Sequence, residues 1–177
     1  MFNIYKPSKG FVWTRSRIIL AFILVDSLIL FLIYTLGIKK SMVAHFFSWF
    51  SIFPFVAYFI NMWFPEQLKG KLEGKLIFEK EKITIDNIGY PIEEVKYIEI
   101  IPNDYKGKYI DRNAFDGMFS QGCNNKLKIR LLNNQEKCFF FQRQHPRELL
   151  YISDQLNYYI EKGLLTKKER NNILNYN

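Results

Sequence analysis

Residues Ile18 to Ile38 read IILAFILVDSLILFLIYTLGI and residues Met42 to Phe64 read MVAHFFSWFSIFPFVAYFINMWF, with only Lys39, Lys40 and Ser41 between them. Each run has about the 20 residues that a helix needs to cross a ~30 Å hydrocarbon core. In lipid only a helix or a closed barrel satisfies its own backbone, so the pair is read as a transmembrane helical hairpin over residues 18–64. A cleaved secretory leader fits poorly. The first run exceeds the apolar core of such a leader, no small-residue cleavage site follows it, and a second apolar run begins at once.

Charge orients the hairpin. Lys6, Lys9, Arg15 and Arg17 precede the first run without an acid, and Lys69, Lys71 and Lys75 follow the second, against two lysines in the turn. The positive-inside rule places both ends in the cytoplasm, with Trp13 and Trp63 as interfacial anchors. The chain has a formal net charge of +8, but residues 1–41 hold six cations and one acid, leaving 19 Lys and Arg against 16 Asp and Glu in the remainder. The excess therefore belongs mostly to the membrane boundary. It points to a lipid bilayer as partner and gives no case for a nucleic-acid polymer. Cys123 and Cys138, in a domain placed in the cytoplasm, are expected to be reduced, and without a CxxC spacing they make no zinc site. Cys138 lies in an apolar run and is expected in the core.

After the spans the period changes. Lys75–Glu79 and Lys82–Asp86 alternate as a strand pair around an exposed Glu-Lys-Glu turn, Asn87–Pro91 marks a turn, and Ile92–Ile101 offers a third strand region. Tyr109 and Ile110 are a candidate further strand, and residues 111–125 read as an irregular loop. Lys126–Leu132 and Glu136–Gln142, joined by Asn133-Asn134-Gln135, form the clearest antiparallel pair. Pro146 suits a helix start, Leu149, Ile152, Leu156, Tyr159 and Ile160 recur at helical spacing, and Gly163 marks its end. Thr166-Lys-Lys-Glu169 is a capping box for a short last helix. The division is thus a basic segment 1–17, the hairpin 18–64, a linker 65–74 and a mainly antiparallel β domain 75–177 whose helix closes one open end.

With two spans followed by GKLIFEKEKITIDNIGYPIEEVKYIEI (74–100), a central β pair and a C-terminal helix, the chain resembles the bacterial membrane-anchored pleckstrin-homology-like (PH-like) proteins. The resemblance rests on the Pro91-Ile92-Glu93-Glu94-Val95 segment and on architecture over residues 74–162. It implies a seven-stranded bent barrel capped by a helix, at a bacterial inner membrane, that binds lipids, peptides or partner proteins without catalysis. The order of hairpin then β domain is also similar to the two-span effectors of cyclic-oligonucleotide antiphage systems. That likeness implies a nucleotide-gated barrel whose spans disrupt the membrane.

No catalytic set is legible. His45 and His145 stand outside any HExxH, HxxxH or Cys/His cluster, Ser120 has no GxSxG elbow or paired base, and Gly107, Gly117 and Gly122 match neither phosphate-binding spacing. The chain is read as a non-enzyme without cofactor or metal. Two features carry chemistry. Asp26 lies ~12 Å inside the first span, where a lone carboxylate costs ~2.5–3.5 kcal/mol on insertion scales. It is expected to carry a proton or a partner, level with Pro54 and one turn from Ser51 and Tyr58, across the hairpin or in a second copy. Lys126, Lys128 and Arg130 form a row on one strand face which, with Lys106, Lys108 and Arg112, is a candidate site for an anionic ligand, a lipid headgroup or a cyclic nucleotide. Tyr105, Tyr109, Phe115 and Phe119 interleave with it. The plain alternative for the row is a solvated outer face.

Overall fold

The computed structural model describes residues 1–37, 42–110 and 116–174, apart from the side chain of Val43. The chain divides into a β unit, Met1–Lys9, Leu68–Lys108 and Ser120–Asn177, and a helical unit, Gly10–Gln67 and Tyr109–Phe119. In chain order the helices are inserted between β1 (Phe2–Pro7) and β2 (Gly70–Phe78), which pair antiparallel. The ladder runs up to the insertion: Pro7 faces Gly70, and the Ser8 N–H donates to the Lys69 carbonyl at 2.8 Å.

This strand is the largest departure from the sequence reading, which leaves residues 1–17 as a basic segment and 65–74 as a linker. Phe2 and Ile4 are buried and their neighbours are not, an alternation of four residues obscured by Lys6, Pro7 and Lys9. β2 starts at Gly70 because β1 is there to pair with it. Between Asn3 and Tyr5 the register slips, and β2 carries one extra residue as a bulge. Gly74 sits there at φ 89°, where a Cβ would fall 2.5 Å from Asp86 Oδ1.

β3 (Lys82–Ile85), β4 (Ile88–Pro91) and β5 (Val95–Ile101) follow. β6 (Lys106–Tyr109) and β7 (Phe119–Gln121) form a separate two-stranded sheet, and β8 (Asn125–Leu131) and β9 (Glu136–Gln142) complete a seven-stranded sheet of order β4-β3-β2-β1-β9-β8-β5. Its pairings are antiparallel. The turn expected over 87–91 is a two-residue one at Asp86 and Asn87, φ 52° and 66°, and Gly89-Tyr90-Pro91 continue as strand. Paired positive φ values suit the right-handed twist of a hairpin, and Asp and Asn tolerate them.

The sheet bends back on itself. β4 and β5 stand at opposite ends of the strand order, yet a single 3₁₀ turn, Ile92–Glu94, joins them. Four residue steps reach at most about 14 Å, whereas six strand spacings laid flat measure about 29 Å. Across the enclosed space the Lys137 ammonium on β9 lies 4.8 Å from the Tyr90 ring centroid and donates to its hydroxyl at 3.1 Å, although three strands separate β9 from β4.

After β9 come a 3₁₀ turn (Glu148–Ile152) and two helices, α4 (Ser153–Glu161) and α5 (Lys167–Leu174), numbered after the three helices of the helical unit. Leu149, Ile152, Leu156, Tyr159 and Ile173 join Phe2, Phe78, Ile98, Leu127 and Phe141 in one core. The buried Tyr159 hydroxyl donates to the Glu79 carbonyl at 2.6 Å, and burial pushes its pKa up. The capping box forms as read: Thr166 N–H donates to Glu169 Oε2 at 2.7 Å and Glu169 N–H to Thr166 Oγ1 at 3.2 Å. Cys138 is a correction, since it is exposed. Three successive phenylalanines hide the parity of β9. Phe141 is buried and Phe139 packs on the core, which leaves Cys138 outside, across from Lys128.

In the helical unit, α1 (Arg15–Thr35) starts at Thr14, whose hydroxyl accepts the Arg17 N–H. The second apolar run divides into α2 (Met42–Phe50) and α3 (Ile52–Met62) at Ser51. Pro54 explains the break: it has no N–H for the Phe50 carbonyl, and its ring crowds that carbonyl. Asn61 Nδ2 donates to Ser16 Oγ at 3.1 Å, both buried, which fixes the start of α1 beside the end of α3.

Candidate functional site

The cation row is built by β8, where Leu127 and Ile129 face the core and Lys126, Lys128 and Arg130 face outward. Each cation meets a partner on a neighbouring strand. Lys128 lies 2.8 Å from Glu99, its direct neighbour on β5, and that contact raises the lysine pKa, through the hydrogen bond first and the charge second. Arg130 pairs with Glu136 on β9 at 3.0 Å, and Lys126 lies over the Phe140 ring at 5.4 Å. Beside them the Tyr97 hydroxyl donates to Glu169 Oε1 at 2.6 Å, so that hydrogen bond pushes the phenol up to about 12. Glu169 is held below the usual carboxylate range, by Thr166 first and Tyr97 second. Two of the three cations are thus paired with carboxylates of the same sheet, and the third lies over an aromatic ring.

Lys106 and Lys108 lie apart from it in sequence, on β6. The Lys108 ammonium donates to the Asn103 carbonyl at 2.8 Å, and the Lys106 N–H to the Arg143 carbonyl at 2.9 Å. Arg112 and Phe115 lie outside the described residues. Phe119 and Tyr109 meet edge to face at 6.4 Å.

Ser120 is fully buried. Its hydroxyl donates to Asp104 Oδ2 and accepts the Gly122 N–H at 2.8 Å. Asp104 Oδ1 accepts the Tyr105 N–H at 2.9 Å, and Asn125 accepts the Asp104 N–H at 2.9 Å while donating to the Gly122 and Phe141 carbonyls at 2.8 and 3.1 Å. This network pins residues 104–105 and 120–125 to β9, and a serine enclosed in it is not placed to attack a substrate. Sequence reading missed it because Asp, Ser and Asn signal turns whether or not their side chains end up buried.

A cleft of ≈ 600 Å³ lies where the two ends of the sheet meet α4, lined by Glu81, Ile92, Glu93, Val95, Tyr158 and Lys162 among others. Among the described residues no group of three or more His, Cys, Asp or Glu side chains is placed to hold a metal ion.

In the helical unit Arg15 donates to the Pro65 carbonyl at 2.6 Å and lies over Phe64 at 5.1 Å, while Arg17 donates to the Val12 carbonyl at 2.6 Å and lies over Phe11 at 4.5 Å. With exposed Trp13 and Trp63 they form an aromatic and cationic collar at one end of the helices. Asp26 is buried, and no hydrogen-bond donor reaches its Oδ1 among the described residues. Of its expected neighbours, Pro54 is buried, Ser51 donates to the Phe47 carbonyl of its own run at 2.8 Å, and Tyr58 packs edge-on against Phe59 at 5.6 Å.

Comparisons of the chain with protein-family models, with curated proteins and with solved structures give no match.

Proposed function

We propose that the chain is a membrane-anchored, non-catalytic binding or sensing module, in which the helical pair spans a bilayer and the β unit is a PH-like bent barrel in the cytoplasm. The observation that carries this reading is how little the apolar helices bury. Only 6 % of the most apolar stretch of α1 and 11 % of that of Ala44–Met62 is covered. A core helix of a soluble fold buries such a surface, whereas lipid covers it without a protein partner. The flanking cations and the aromatic collar suit the inner boundary. Seven antiparallel strands bent until their ends meet, with a C-terminal helix packed into the core, support the PH-like reading. Beside the cation row, the cleft next to α4, lined by Glu81, Glu93 and Lys162 among others, is a second candidate binding surface.

A second reading, a gated effector whose spans damage the membrane, is favoured by one observation, the buried Asp26 oxygen that no donor reaches among the described residues. Dye-loaded vesicles holding the full-length chain separate the two. A passive anchor gives no leakage when cyclic nucleotides are added, and nucleotide-dependent leakage would replace the module by the effector.

A further inference from the structure

We propose that Asp26 and the break in the second apolar run form a binding site for a monovalent cation, a proton or a sodium ion, inside the helical pair; this rests on the reading of that pair as membrane-spanning. Asp26 is 7 % exposed, and no hydrogen-bond donor reaches its Oδ1 among the described residues. α1 buries Ser16 and Asp26, and α3 buries Pro54 and Asn61. The Ser16–Asn61 hydrogen bond sets the antiparallel register between them. Counting equally along both helices from that bond, Asp26 on α1 comes level with Ser51, about one turn from the Pro54 level read from the sequence, each ~15 Å from the bonded pair at 1.5 Å per residue. Ser51 is the residue between α2 and α3.

The backbone stays helical through Ser51, whose N–H donates to the Phe47 carbonyl at 3.0 Å, and the carbonyl deprived of its helical donor is that of Phe50. Pro54 has no N–H to give the Phe50 carbonyl, and the Ser51 hydroxyl directs its proton to the Phe47 carbonyl at 2.8 Å, leaving its own lone pairs unspent. A carboxylate level with a carbonyl and a hydroxyl oxygen is a set of hard ligands that lacks a positive charge. Discontinuous membrane helices whose freed carbonyls meet an acidic side chain hold Na⁺ or H⁺ in this way. Other titratable groups stand off from this level. By the same count His45 on α2 falls opposite Leu32 and Tyr58 on α3 opposite Ile19, about two turns away on either side. Arg15, Arg17 and Tyr34 lie toward the ends of α1.

The test uses the full-length chain in vesicles of phosphatidylcholine and phosphatidylglycerol. Labelling of Asp26 by N,N′-dicyclohexylcarbodiimide is read by mass spectrometry, and the melting temperature is followed in parallel. With sodium as occupant, replacing choline chloride by sodium chloride at equal ionic strength lowers labelling by more than half and raises the melting temperature by mass action. With a proton as occupant, both respond to pH and neither to sodium. Asp26→Asn, which keeps the shape of the side chain, loses the label and the melting response while still floating with the vesicles. A wild-type chain that floats but whose labelling and melting ignore both sodium and pH overturns the site alone. A chain that does not float overturns the membrane reading and the site together.

Discussion

A fragment beginning at Gly70 is expected not to fold, whereas residues 1–9 joined to residues 68–177 by a short Gly-Ser linker are expected to fold as a soluble, β-rich domain with a minor helical component. β1 stands between β2 and β9, so its removal leaves two long strand edges facing each other without a partner. It also takes Phe2 and Ile4 out of the core, with the edge-to-face contacts of Phe2 to Phe78 at 5.8 Å and to Phe141 at 5.3 Å. Truncating a buried Phe costs about 3–5 kcal/mol and a buried Ile about 2–5. Together these losses match a typical domain stability of about 5–15 kcal/mol before any ladder hydrogen bond is counted. Circular dichroism and thermal melts decide it. A Gly70 fragment that melts as cooperatively as the linked chain would remove β1 from the structural account.

Phe141→Ala is expected to be the most damaging single core truncation in the β unit, at about 3–5 kcal/mol. Phe141 is fully buried, lies across from Ile4 on β1 and Asn125 on β8, and offers its carbonyl to Asn125. The ring packs edge to face on Phe2 of β1 at 5.3 Å, so its loss opens the core beside the strand contributed from before the helices, while the backbone carbonyl that joins the Asp104 network is kept. Denaturant unfolding of the linked β domain measures the loss. A change below about 1 kcal/mol, the range of a tolerated hydrophobic swap, would contradict this placement.

Where periodicity was long, the sequence was sufficient. The alternation of residues 126–131 and the Thr166–Glu169 box recur in the fold at the places read for them, whereas the helix read from Pro146 begins as a 3₁₀ turn over Glu148–Ile152 and becomes α-helical only at Ser153. Short or split signals were not legible. β1 offers two buried side chains and is separated from its partner β2 by the 62 residues 8–69, so no local hairpin pattern announces it. The cation row was read correctly as a row on one face. The partners of Lys128 and Arg130 are not legible, because Glu99 and Glu136 become their neighbours only through the register of three strands. The parity of Phe139-Phe140-Phe141, and with it the exposure of Cys138, was likewise set by pairing and not by composition.

The central claim, two spans holding the β unit at the cytoplasmic face, is tested most directly by a topology measurement in a bacterial membrane. The full-length chain carries green fluorescent protein or alkaline phosphatase after Asn177, and its membranes are washed at alkaline pH. The account predicts that the chain stays in the washed membranes, with a fluorescent C-terminal reporter and an inactive phosphatase. Release by the wash, or an active phosphatase with a dark fluorescent reporter, would contradict it.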